Sequence, residues 1–460
     1  VKTRPADVGG RHRRLDDNND DLAAPKLPYP ASAPPTRSAD ELRPPGGSRN
    51  LAINSVSLVV AALANAALGL IFWAAIAKLF EPTVVGAASA VITSCVAGSA
   101  LSNLSIGAMF ERFLPLTGDR RRTYAVGGFA TAGLSALAVG VVLGAGLYLI
   151  GGVLTSAWQI ASVALWVLVL GYFSLSDQLA NALGVGRWAA AKNISHATAK
   201  LVMVSVLGIL GVTQSDTIVL SWMVPAAVAV AVLLTVLYRR AGKPATVSSP
   251  AIGPLPSRPE LARYFVSSYV LVALNSLAPT VVPLAIVALL DTEANAYFAV
   301  TWAMVGAIFI LMAMLIGPFV AEVATDFTNA PKLIRTFATL IVVITVGGAA
   351  ALVLVGPFLL SYLGQDYRSQ GMTLLILGAA TLPFMAINIF YAALARLRQR
   401  LGLAIVGRVL AALGAIGGAF ILVADLGIAG AGYAYLAGEA VSATLLIIPL
   451  WRLLRGPTRT

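Results

Sequence analysis

The stretch KNISHATAKLVMVSVLGILGV, residues 192–212, is a membrane-length segment with a basic face. From Leu201 onward it is apolar enough for a bilayer helix. Its first half places Lys192, His196 and Lys200 at i, i+4 and i+8, on one side of a helix. Lys192 lies close enough to the helix end to snorkel to an interface. Lys200 lies about two turns deeper. An ionisable group at that depth costs about 3 kcal/mol or more unless it faces protein or a wet cavity. The plain reading is a snorkelling helix end. The functional reading is the cationic wall of a transport cavity that attracts an anionic group.

Working outward, the 460 residues have a mean hydropathy of +0.85 and only 11% charged side chains, the composition of a polytopic membrane protein. The net charge of +12 follows the positive-inside rule, and no basic run carries the interleaved aromatics expected of a nucleic-acid binder. Cys95 stands alone, so neither an intramolecular disulfide nor a cysteine metal site is expected. His12 and His196 lack metal-ligand spacing, and no metal is expected.

Twelve spans are expected, near 54–80, 84–110, 124–150, 158–184, 191–212 and 217–238, then 264–290, 294–322, 333–360, 370–395, 401–424 and 428–452. This gives an all-α polytopic membrane protein. It has a disordered cytoplasmic tail over 1–50, a six-helix lobe over 51–240, a cytoplasmic Pro/Ser/Gly-rich linker over 241–262, a second six-helix lobe over 263–453 and a cytoplasmic tail over 454–460. With the N-terminus inside, basic residues such as Arg120 to Arg122, Arg239, Arg240, Lys332, Arg396 and Arg398 fall on inner loops. Lys78 and Arg368 alone fall outside, so both termini are expected in the cytoplasm.

A shift of roughly 210 residues superposes the halves weakly. Asn65 falls on Asn275, VVGAASAV ending at Val91 falls near EANAYFAV ending at Val300, and Lys192 and Lys200 fall on Arg400 and Arg408. Two lobes that enter from the same side are related by a pseudo-two-fold along the membrane normal, with the pathway between them. Lys200 and Arg408 then come from equivalent helices. Arginine grips phosphate in a fork and lysine as a point charge, so the pair suits a phosphate or pyrophosphate head group. Lys192, His196 and Arg400 would support its route in. The competing reading pairs each cation with a local carboxylate, Asp177 or Glu439. Those two acids are candidates either for proton or sodium coupling or for structural counter-ions. Asn65 and Asn275 are candidate polar groups of the cavity, and helix packing is the plainer role for each. Pro279, Pro283, Pro318, Pro357 and Pro383 should kink or break the seventh to tenth spans. No Walker A loop, Gly-x-Ser-x-Gly or Cys/His pair is present, so neither an enzyme nor a cofactor is expected.

Several motifs resemble those of Wzx-type polysaccharide and O-antigen flippases. They are Ala77-Lys78-Leu79-Phe80-Glu81-Pro82 followed by Gly86 and Ala87, Leu104-Ser105-Ile106-Gly107, Arg112-Phe113-Leu114-Pro115, and the closing GIAGAGYAYLAGEAVSATLLI from Gly427. The resemblance is good at both ends of the membrane region and loose in the middle. It implies the two-lobe fold of the multidrug/oligosaccharidyl-lipid/polysaccharide exporter superfamily. It also implies flipping of a polyprenyl-diphosphate-linked oligosaccharide to the outer leaflet of a bacterial cytoplasmic membrane for cell-surface polysaccharide assembly. Membrane lipids and glycan polymerase or ligase proteins are the partners implied, and nucleic acid is not. Two departures stand out: the family's lipid II flippases have fourteen spans, and its multidrug antiporters carry acidic coupling residues that the first span here lacks. A multidrug or small-solute secondary antiporter is the alternative, and a scaffold for glycan-assembly enzymes is a third reading.

Overall fold

The computed structural model describes residues 64–455 apart from 115–116, 118–119, 152, 242–257, 326–328 and 399–400. All described residues fall in one compact unit, Asn54–Thr460. The tail expected over 1–50 and most of the linker lie outside the described residues.

The first half contains α1 (Ala64–Leu79), α2 (Pro82–Ser102), α3 (Ile106–Phe113), α4 (Arg121–Ile150), α5 (Trp158–Ala182), α6 (Gly186–Ile209) and α7 (Ser215–Ala241). The second contains α8 (Arg258–Leu289), α9 (Thr292–Met314), α10 (Ile316–Thr325), α11 (Ala330–Leu354), α12 (Gly356–Leu363), α13 (Gln365–Leu397), α14 (Gly402–Leu426) and α15 (Ile428–Arg455). Ten of the described helices are long and apolar enough to cross a membrane. α1 is described only from Ala64, and α6 is too polar in its first half to qualify on composition. With these two, twelve helices form two lobes of six in matching order, as the sequence suggested.

Three predicted spans turn out to be broken. The run 84–110 divides into α2 and α3 at Leu104 and Ser105, whose φ angles of 45° and 54° are unfavourable for residues with a Cβ. The run 294–322 divides into α9 and α10 just before Pro318, and 333–360 into α11 and α12 just before Pro357. Proline fits a first helical turn, where its missing N–H has no partner to lose. α8 and α13, by contrast, run unbroken through Pro279, Pro283 and Pro383.

Small residues set the helix spacing. Gly414 on α14 sits against Gly438 on α15 so closely that a Cβ would lie 2.6 Å from the Gly438 Cα. α2 reaches across, packing on α8 and α9. At Gly86 a Cβ would lie 1.5 Å from the Thr292 carbonyl oxygen, a backbone atom that no side-chain rotation can clear. Beside it the fully buried Asn295 Nδ2 donates to the Gly86 carbonyl and to Ser89 Oγ, both at 2.9 Å. At the same end of the molecule, Lys78 Nζ donates to the Tyr362 carbonyl at 2.8 Å. Gly86→Ala is therefore expected to part α2 from α9. Spin labels at Thr83 and Ala288 should report a longer separation, and an unchanged distance would show that this contact does not hold the lobes together.

Candidate functional site

α5 and α6 are joined by a tight turn in which Gly184 has φ 71° and Val185 N donates to the Ala180 carbonyl at 2.8 Å. The reversal runs α6 back along α5 and brings Lys192 to Asp177. Lys192 Nζ lies 2.8 Å from Asp177 Oδ1, and it donates to Ser176 Oγ at 3.3 Å and to the Phe173 carbonyl. Asn193 Nδ2 donates to Asp177 Oδ2 at 3.1 Å. The charge of Lys192 is thus matched inside its own lobe.

One turn further along α6, His196 Nε2 donates to the Trp222 carbonyl at 3.0 Å. A carbonyl only accepts, so Nε2 carries the hydrogen. The ring packs 4.9 Å from Phe173 and 6.0 Å from Trp222. His196 therefore fastens α6 to α7.

Lys200, the next on the stripe, is different. It is 5% exposed, with Nζ 3.2 Å from the centroid of Trp222 and 4.9 Å from that of Phe72. Cation–π attraction of roughly 1–2 kcal/mol per ring offsets part of its desolvation. Among the described residues it has no carboxylate and no hydrogen-bond acceptor. The reason is legible in α7, whose sole acid, Asp216, stands in the first turn, far from Lys200 along the helix axis.

Arg408, the residue that the sequence offset pairs with Lys200, has a partner. Arg408 Nη1 on α14 lies 3.2 Å from Glu439 Oε1 on α15. Asn388 Nδ2 of α13 donates to Glu439 Oε2, and Ser442 Oγ donates to Asn388 Oδ1 at 3.0 Å. The close approach of α14 and α15 at Gly407 and Ser442 places these groups together.

Two cavities join these sites. One, of about 420 Å³, lies between the lobes and is lined by Asn65, Trp73, Lys200 and Trp222 from the first and by Pro279 and Trp302 from the second. Among the described residues no carboxylate lines it. The other, of about 340 Å³, lies in the second lobe and is lined by Asn275, Asn388, Arg396, Arg408 and Glu439. Trp302 and Tyr435 line both, stacked at 4.3 Å between centroids, so they form a common wall. The Tyr435 hydroxyl is buried with no hydrogen-bond partner among the described residues.

Of the residues singled out in the sequence, Lys200 and Asn65 thus face the cavity between lobes, and Arg408, Glu439 and Asn275 face the adjoining one. Lys192 and Asp177 pair with each other and line neither cavity, and His196 lines neither. Arg400 lies outside the described residues. Sequence reasoning passed over Trp73, Trp222, Trp302 and Tyr435. A signal was present, because Trp222 and Trp302 fall inside spans, whereas membrane tryptophans favour the two interfaces.

No family model matches the chain, and no curated protein matches it. Solved structures do. The lipid II flippase MurJ in an inward closed conformation aligns with TM-score 0.65 and 12% identity over 86% of this chain and 87% of that one. The inward-facing conformation of a multidrug resistance MATE family transporter of the MOP superfamily aligns with TM-score 0.62 and 13% identity over 87% of this chain and all of the other. A MOP superfamily transporter from Pyrococcus furiosus, described by the reverse polarity of its binding pocket, aligns with TM-score 0.53 and 13% identity over 87% of this chain and 96% of that one. At these identities the likeness is one of architecture: the chain has the two-lobe helical fold of the MOP superfamily transporters, a multi-pass membrane fold.

Proposed function

We propose that this protein flips a polyprenyl-diphosphate-linked oligosaccharide from the cytoplasmic to the outer leaflet of a bacterial cytoplasmic membrane. One observation carries the reading. A buried lysine with no counter-charge among the described residues faces a cavity between lobes that no described acid lines, and an anionic head group would complete it. The lipid tail would stay in the bilayer while the diphosphate sits on Lys200. Arg408 adds a forked second grip only when Glu439 releases it. A proton or sodium ion taken up by Glu439 would do so, which makes that acid the coupling candidate and leaves Asp177 as a counter-ion. Lys192 and His196 act as scaffold.

The fold likeness to the lipid II flippase MurJ supports a lipid-linked substrate, and the likeness to multidrug MATE transporters supports the alternative of a drug or small-solute antiporter. The charge of the cavity favours the first. Orientation follows from the basic helix ends. Arg122 at the start of α4 stacks over Tyr238 at the end of α7, and Arg398 Nη2 at the end of α13 donates to the Leu453 carbonyl in the last turns of α15. These ends would face the cytoplasm, together with both termini, the tail over 1–50 and the linker over 241–262.

The test is a titration of the full chain in nanodiscs, followed by tryptophan fluorescence because Trp222 lies beneath the Lys200 ammonium. Polyprenyl diphosphate is expected to quench saturably and a lipophilic cation is not. Binding of the cation with no response to the diphosphate would install the antiporter reading instead.

A further inference from the structure

A third cavity belongs to neither chamber. It has a volume of about 530 Å³ and is lined by α4, α5 and α7. The floor is made of buried apolar residues, Ala125, Leu179 and Leu237, part of an apolar cluster separate from the main core. Its rim is open: Val126 is 52% and Tyr238 50% exposed, and Ala130 and Thr235 are exposed as well. At one end stand Arg122 and Arg239, both exposed and neither with a carboxylate partner among the described residues. The Arg122 guanidinium lies 3.7 Å from the centroid of Tyr238. Stacking fixes its plane and leaves its N–H donors free for a phosphate. Arg120 and Arg240 lie next to them in the chain.

We infer that this groove binds one anionic glycerophospholipid, with an acyl chain along Ala125, Leu179 and Leu237 and the phosphate on Arg122 and Arg239. The apolar floor takes a chain of either charge class, whereas two unpaired arginines at the mouth select a negative head group. Basic pockets between membrane helices at the cytoplasmic surface suit such head groups. The site is separate from the Lys200 cavity, shares no lining residue with it and does not depend on the substrate assigned there.

The test is native mass spectrometry of the full chain, with phosphatidylglycerol and phosphatidylcholine of matched acyl chains. Wild type is expected to retain one phosphatidylglycerol roughly 30-fold more tightly than phosphatidylcholine, at about fivefold per arginine. Arg122→Ala with Arg239→Ala should remove that preference, and lysine at both positions should restore most of it. Ala130→Trp, which fills the groove and keeps both arginines, should release the bound lipid. Equal retention of the two lipids by wild type overturns the proposal. So does an unchanged preference in the double alanine variant, or full retention by Ala130→Trp. Melting of each variant in lipid-free detergent separates loss of the site from loss of the fold. If alanine lowers the melting point, the lysine pair alone decides: loss of preference there, in a protein of normal stability, also overturns it.

Discussion

Replacing Lys200 by methionine is expected to weaken binding of polyprenyl diphosphate by roughly 30- to 1,000-fold, the effect of removing about 2–4 kcal/mol of desolvated charge pairing. Methionine keeps the length of the side chain and its packing over Trp222 and Phe72. It removes the ammonium of a residue that is 5% exposed and has no counter-ion among the described residues. The same substitution should therefore raise thermal stability, because an uncompensated buried charge destabilises the ligand-free protein. The opposed signs are the signature: a higher melting point, weaker binding, and partial recovery of binding with Lys200→Arg. Wild-type affinity in Lys200→Met would remove this residue from the mechanism.

Arg408→Ala should behave in the reverse sense although it occupies the equivalent helix. Its loss leaves Glu439, 5% exposed, facing Asn388 without a cation. Breaking a buried pair in this way costs about 3–5 kcal/mol. The melting point should fall sharply in Arg408→Ala and return nearly to normal when Glu439→Gln is added, because the neutral amide no longer needs the arginine. If the single variant melts like wild type, the ion pair has no structural weight, and Arg408 is free to act in binding from the outset.

The contrast between these two residues also shows what the sequence could and could not convey. Apolar runs long enough to cross hydrocarbon are dictated by bilayer thickness, so the twelve helices were legible before any coordinates. The matching order of α6 and α14 in the two halves was legible too, since it needs only a count of the apolar runs. Asp177 and Lys192 lie on either side of a short hairpin, as do Arg408 and Glu439, and the sequence offered both acids as local partners. Which cation remains unmatched was not legible. It depends on which face of α7 and α15 turns inward, and that is set by close packing such as Gly414 on Gly438. The break after α2 was hidden for a related reason. Leu104 and Ser105 adopt a left-handed backbone without glycine, so no residue type announced the turn. The aromatic wall of Trp302 and Tyr435 joins α9 to α15, and sequence separation alone gave no reason to unite them.

The meeting of α2 and α9 has a thermodynamic corollary. Gly86 on one side and Ala296 on the other have almost no rotamers to lose, whereas a leucine or methionine seam would surrender roughly 0.5–2 kcal/mol per side chain each time it formed. The polar link across this contact is the pair of hydrogen bonds from Asn295, at about 1 kcal/mol apiece. A junction of small residues therefore forms with little loss of side-chain entropy.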